Sequence, residues 1–404
     1  MDLTFEDIVK AQKILLNSAD IRKTPLVFSP TFSKLTGSDV YLKQEFQQKT
    51  GSFKIRGAYY KIRSLSDDEK RKGVVAASAG NHAQGVAFAA SIEDISCTII
   101  MPKSASPAKV LATKGYGATV ILDGDNYDEA SNIAKKMAID TGATIIHAFD
   151  DPQIMAAQGV VGLEILHDLP DVQEIYVPIG GGGLAAGILV AVKEKNPNVR
   201  IIGVQSESYH AMKTSVESSM LQVQSGKRTI ADGVAVSRPG EKTFSIIMQL
   251  IDEIVTVSDE QIVKTMFILM ERAKSVVEPA GAISLAYPLA VKPSPGKKIA
   301  CVLAGGNVDM YLLGQIVDKG LVHMGRLLRI TVLLPDRPGA FKDVVDAITA
   351  SDANIVEVVH DRFSSKINAG SAGVTLSLEM QGRHDAKKLL ERLQVKGIQF
   401  ELLT

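Results

Sequence analysis

From Val74 onward, short apolar runs rich in β-branched residues alternate with longer stretches whose apolar positions recur at helical spacing. "VVAAS" leads into "GNHAQGVAFAA", "CTIIM" into "SPAKVLATKG" and "TVILDG" into "YDEASNIAKKMAID", and "ATIIHAF" closes the series. This alternation predicts a small α/β domain with a parallel sheet over residues 73–150. Pro107 suits the first turn of its helix. A second series runs through "EIYVPI", "VRIIGVQS" and "EIVTVS" to "KIACVLAG", and a capping box at Ser258 to Gln261 opens a helix between the last two. Residues 1–72 are expected to complete this larger domain, which spans 1–72 and 151–320.

After "VDKGLVHMGR" the pattern changes. "LRITVLL", a helical "AFKDVVDAITA", "NIVEVVH", the alternating "AGVTLSLEM", a helical "HDAKKLLERLQ" and "GIQFELL" predict a βαββαβ module over 326–404. A boundary is expected between Gly320 and Gly325.

Composition narrows the function classes. A chain of 404 residues should divide into two or three domains. Lys+Arg and Asp+Glu both number 45, so the basic footprint of a nucleic-acid binder is missing. Small molecules and further copies of the chain are the expected partners. Cys97 and Cys301 stand far apart, which supports neither a disulfide framework nor a zinc site. "MDLTFEDIVKAQ" is acidic and amphipathic, unlike a signal peptide. The uncharged run Val177 to Val192 holds five glycines and falls short of the ~18 apolar residues of a membrane span. A cytoplasmic protein without nucleic-acid or membrane partners is expected.

The candidate chemistry lies at three strand-to-helix or helix-opening junctions. In "TGSFKIRGA", Thr50 and Ser52 are N-cap residue types, which puts Lys54 in the first turn of a helix. There the positive end of the macrodipole disfavours a second positive charge, and a depressed pKa is what a Schiff-base-forming lysine needs. A solvated surface lysine is the plain alternative. "EIYVPIGGGGLAAGILVAVKE" reads as strand, four glycines and helix, so the amides of Gly180 to Gly183 can cradle a phosphate. A dinucleotide site would need G-x-G-x-x-G and an acidic residue about twenty positions on. The next strand instead ends in Val204 and Gln205. "SAGNHAQG" can hold a carboxylate on its free amides, or Ser78 can simply cap the helix. His82 reads as a structural hydrogen-bonder rather than a base. A low-pKa lysine, a phosphate cradle and a carboxylate-holding turn together ask for pyridoxal 5'-phosphate acting on an amino acid.

"GSFKIRGA", "SAGNHAQG", "PIGGGGLAAG", "ADGVAVSRPG", "EPAGA" and "LAGGNVD", in this order, resemble the threonine dehydratase (threonine deaminase) family of fold type II pyridoxal-phosphate enzymes. The resemblance implies a tryptophan synthase β-like two-domain α/β core. It implies that Lys54 forms the Schiff base with the cofactor, Phe53 flanks the ring, Asn81 bonds the ring hydroxyl and Gly180, Gly181, Gly182 and Gly183 hold the phosphate. Ser78, Ala79, Gly80, Asn81 and His82 would surround the substrate carboxylate, with Gly233 and Val234 near its side chain. Glu278 is left open between facing the cofactor and capping a helix. Ala304 stands where many relatives carry a serine or cysteine against the pyridine nitrogen. Ala79 stands where serine racemases carry a second serine as base, and Gln205 where they place a metal-binding glutamate, so no metal site is carried over.

The C-terminal module resembles an ACT domain, a ferredoxin-like amino-acid sensor, through "LLPDRPGAF". Pro338, Gly339 and Ala340 would open its first helix and hold an effector carboxylate, and Asn354 would take the ammonium side. The implied activity is conversion of L-threonine, with L-serine as a secondary substrate, to a 2-oxoacid and ammonia. Feedback by a branched-chain amino acid and a homo-oligomer, dimer or tetramer, go with it. An L-serine dehydratase, a threonine synthase, a nucleotide-activated catabolic enzyme and a catalytically silent amino-acid sensor are the competing readings.

Overall fold

A computed structural model describes residues 2–403 except 225, 227, 294 and 364–366. The chain divides into two compact units, Met1–Asp309 and Met310–Thr404. The helix Met310–His323 thus falls in the second unit, although the reading above assigned 310–320 to the large domain. Only Ile316 and Gly320 of that helix are buried, and it packs on the strand Leu327–Pro335 that follows it.

The first unit holds two sheets. The larger has six strands in the order Leu26–Phe28, Asp39–Lys43, Lys298–Val302, Glu174–Pro178, Arg200–Ser206 and Glu253–Val257. All its pairings are parallel except the first. The smaller is wholly parallel, in the order Thr119–Leu122, Cys97–Met101, Val74–Ala77 and Thr144–Ile145. Glu174–Pro178 is buried along its whole length, as a parallel strand covered on both faces must be.

Two buried helices, Pro152–Asp168 and Gly183–Lys195, lie side by side, the second against the strand Glu174–Pro178. Their contact is backbone on backbone: a Cβ on Gly159 would come within 2.7 Å of the Gly187 carbonyl oxygen. Gly85 plays the same part for the helix Asn81–Ile92, where a Cβ would stand 3.2 Å from the Ile55 nitrogen. That helix can therefore press its first turn close to Lys54. Ser258 closes the expected capping box with Gln261, and Pro107 follows the N-cap Ser106. No helix among the described residues is long and apolar enough to cross a membrane.

The second unit is a four-stranded antiparallel sheet in the order Asn354–Asp361, Ser371–Glu379, Leu327–Pro335 and Gln399–Leu402. With the helices Lys342–Thr349 and Arg383–Val395 its chain order is βαββαβ. Leu328, Ile330, Val332 and Leu334 alternate into its core, where they meet Val344, Ile348, Leu389 and Leu393 from the helices.

Candidate active site

Lys54 is the first residue of the helix Lys54–Arg63, but neither Thr50 nor Ser52 caps it; Phe53 is the N-cap and offers no side-chain bond. The segment before the lysine is instead pinned to the loop after Lys298–Val302. Phe53 N donates to Ala304 O at 3.1 Å, Gly306 N to Gly51 O at 2.9 Å, and Ser52 bridges Gly305. So held, it cannot fold back over the helix end, and the Thr50 and Ser52 hydroxyls are buried without a partner. Lys54 Nζ donates to the Ala148 carbonyl at 2.7 Å and lies 5.2 Å from the centre of the Phe53 ring. Burial lowers its pKa to about 8, with the Glu278 carboxylate pulling the other way. A carbonyl stabilises an ammonium less than a carboxylate does, so this lysine is a ready nucleophile.

The glycine loop faces the same cavity. The amides of Gly180, Gly181, Gly182 and Gly183 have no acceptor among the described residues, and they end the strand Glu174–Pro178 and open the helix Gly183–Lys195. Gly182 has φ 98°, a left-handed conformation that glycine adopts freely. A Cβ on Gly181 would collide with the Phe149 ring, and one on Gly183 would lie 2.9 Å from the Phe149 carbonyl oxygen. Phe149 thus backs the loop, and the amides form a bare anion cradle at a helix N-terminus.

Asn81 opens its helix behind the N-cap Gly80, whose amide donates to Ser78 Oγ at 3.2 Å. Ser78 therefore braces the turn without being the N-cap. Asn81 Nδ2 donates to Glu278 Oε1 at 2.5 Å, and Asn81 Oδ1 accepts from Asn307 Nδ2 at 2.7 Å. Glu278 is the N-cap residue of the helix Pro279–Val291, yet its carboxylate makes no capping bond and turns to Asn81. Burial, then the nearby Asp232 carboxylate, raise the Glu278 pKa to about 7. His82 Nε2 donates to Ile146 O at 2.8 Å, and burial, then the Lys54 charge, lower its pKa to about 3. A neutral ring committed to a carbonyl is a brace, so only the backbone of His82 remains for a ligand.

One cavity of about 510 Å³ is lined by Phe53, Lys54, Ser78, Ala79, Gly80, Asn81, His82, the four glycines, Gly233, Val234 and Ala304. Its volume is that of a cofactor or small-molecule site. Gly233 and Val234 lie in a single 3₁₀ turn, Asp232–Val234, and Lys109 of the small-sheet region reaches Asp232 across 2.6 Å.

The sequence reading missed the stretch 147–151. "ATIIHAF" forms a strand only at Thr144–Ile145; beyond it His147 Nδ1 accepts from the Asp150 amide at 2.9 Å. Asp150 in turn accepts from the amides of Glu241, Lys242 and Thr243, capping the helix Glu241–Leu250, while Thr243 Oγ1 donates to Gly181 O at 2.7 Å. The available signal was Asp151 followed by Pro152, the N-cap and first residue of a helix. Asn307 was missed as well, since nothing in "LAGGNVD" tells which distant side chain it meets.

In the second unit Pro338, Gly339 and Ala340 lie in a turn ahead of the helix, which starts at Lys342 and not at Pro338. Gly339 has φ 86°, which breaks the helical path. Asn354 pairs with Glu379, which also faces Leu327, whereas Pro335 faces Ser371. Asn354 therefore sits at one end of the sheet and the 338–340 turn beyond the other, so one chain does not bring them together.

The family model for pyridoxal-phosphate dependent enzymes matches residues 18–305. An L-threonine ammonia-lyase of Thermotoga maritima is 44% identical over 401 residues, 99% of this chain and all of that protein. Among solved structures, the processed form of threonine deaminase isoform 2 from Solanum lycopersicum superposes with TM-score 0.73 at 33% identity, over 77% of this chain and 92% of that one. Maize serine racemase does so with TM-score 0.75 at 34% identity, over 80% and 99%.

Proposed function

The chain belongs to the pyridoxal-phosphate dependent enzyme family, and from that premise we propose that it is a threonine ammonia-lyase, converting L-threonine to 2-oxobutanoate and ammonia. The observation that carries this reading is the meeting of a low-pKa lysine, four unpartnered glycine amides and the Asn81 amide in one cavity. The residues fit the cofactor. The cradle has room for phosphate oxygens and none for a Cβ on Gly181, and the half-buried amine of Lys54 suits an aldehyde. Gly180 to Gly183 would hold the phosphate, Lys54 the aldehyde carbon, Phe53 a ring face and Asn81 the ring edge.

Bound there, pyridoxal phosphate supplies an electron sink for the pair left behind when a proton leaves the amino acid's Cα. Lys54, once its amine is free, takes that proton as general base. The β-hydroxyl departs with a proton as water, and hydrolysis of the released enamine gives the 2-oxoacid and ammonia. The turn Ser78 to Asn81, in which the amides of Ala79 and Asn81 have no acceptor among the described residues, suits the substrate carboxylate. Ala304 lines the cavity and would offer a bound ring only a methyl, so this position would supply no proton to the ring nitrogen. The cofactor would then be a weaker sink, which would favour prompt loss of the β-substituent.

The βαββαβ unit supports an ACT-type regulatory role, with a branched-chain amino acid as effector and isoleucine, the end product of this carbon flow, as the first candidate. The Thermotoga relative is matched over 99% of this chain and so shares this unit. A site using both the 338–340 turn and Asn354 would need two copies of the module, in keeping with a homo-oligomer. Measuring 2-oxoacid release from L-threonine and from L-serine, each with and without isoleucine, tests activity, preference and regulation together. Turnover of threonine above serine, reduced by isoleucine, is expected; no 2-oxobutanoate would reject the assignment.

A further inference from the structure

Four separated stretches of sequence meet in one hydrogen-bond chain. Asn307 Nδ2 donates both to Thr50 O at 2.8 Å and to Asn81 Oδ1 at 2.7 Å, and Asn81 Nδ2 donates to Glu278 Oε1 at 2.5 Å. A backbone carbonyl only accepts, so the Thr50 oxygen dictates that the NH₂ end of Asn307 faces it. That end also reaches Asn81, which must then present its oxygen to Asn307 and its NH₂ to the cavity side. The seat of Asn307 is built for it: a Cβ on Gly51, whose φ is 74°, would collide with the Asn307 amide.

We infer that Asn307 is a positioning residue that fixes the orientation of the Asn81 amide, so that a donor and not an acceptor is turned to the cofactor cavity. An amide has two nearly isosteric ends, and nothing intrinsic to Asn81 selects between them. Glu278 alone does not settle the choice, because a protonated carboxyl can donate as readily as an ionised one accepts. Asn307 removes this ambiguity. One N–H of Asn81 is spent on Glu278, and the second remains for an acceptor in the cavity. This assignment rests on the reading of the cavity as the pyridoxal-phosphate site, but not on the substrate.

The test is cofactor affinity of the apoenzyme, read by fluorescence quenching on titration with pyridoxal phosphate without any amino acid. Losing a buried hydrogen bond of this kind should weaken binding by about tenfold in Asn307→Ala. If Asn307 acts through Asn81, the same substitution made on Asn81→Ala should cause almost no additional loss. Equal losses in both backgrounds, or wild-type affinity in Asn307→Ala, would overturn the inference. Asn307→Asp keeps the shape but removes the donor, and should weaken binding even where its apoenzyme melts like the wild type. Wild-type affinity in that variant would also reject the role. A chain that shows the coupling but never turns over threonine would fail the proposed function and leave this inference standing.

Discussion

Lys54 Nζ rests on the Ala148 carbonyl oxygen, 2.7 Å away, and on no carboxylate. The contact satisfies one N–H without supplying the negative charge that would keep the amine protonated, so burial prevails and the pKa falls from 10.5 to about 8. Above its pKa the amine is neutral and nucleophilic. Capture of pyridoxal phosphate by the apoenzyme should therefore accelerate with rising pH, with its midpoint near 8. Stopped-flow absorbance across pH 6 to 11 checks this, and a midpoint near 10.5 would show an ordinary, solvated lysine.

Arg56, two residues along the same helix, is 1% exposed and bridges Glu45 at 2.8 Å and Glu164 at 2.7 Å, with Lys43 on Glu164 at 2.5 Å. Two cations and two carboxylates balance inside the protein. Arg56→Met would leave two buried carboxylates facing one lysine, at a cost of about 3–5 kcal/mol. A urea melt of the variant should show a loss of that order, and a loss under 1 kcal/mol would mean that water reaches the cluster.

The two units have separate cores, and the boundary falls at Asp309. A chain ending there should fold and retain turnover but lose any response to branched-chain amino acids. Maize serine racemase, matched over 99% of its length by 80% of this chain, illustrates a core of similar extent. Activity assays of the shortened chain with and without isoleucine decide it; inhibition that survives would put the effector site in the core.

Ala79 lines the cavity, and its methyl can neither give nor take a proton. Racemisation needs a proton delivered to the face opposite Lys54, so L-serine should yield pyruvate and no measurable D-serine. Ala79→Ser should introduce slow racemisation. Chiral chromatography reads both, and substantial D-serine from the wild type would mean that another group serves that face.

What could be read in the chain followed the range of the interactions. The alternation of strands and helices, the capping box at Ser258 and the run of four glycines between strand and helix are patterns written within a few residues, and all were legible. The N-cap of the Lys54 helix was not, because long-range bonds from Ala304 and Gly306 override the preference of Thr50 and Ser52. The partners of Asn81 were equally hidden: Glu278 and Asn307 lie 197 and 226 positions away, and the choice for Glu278 between capping and facing the cavity is made by Asn81. Asp150 escaped notice because the helix it caps starts 91 residues later. In the second unit, local alternation gave the elements, but only sheet register shows that Asn354 and the 338–340 turn lie at opposite ends.

The central claim is that Lys54 is the group through which this cavity eliminates water from threonine. The most direct measurement is the yield of 2-oxobutanoate and ammonia from L-threonine by the wild type and by Lys54→Ala, both saturated with pyridoxal phosphate. The account predicts equal amounts of the two products from the wild type and none above background from the variant, whose glycine cradle still retains cofactor. Near-normal turnover by Lys54→Ala, or a cofactor-loaded wild type that yields neither product, would contradict it.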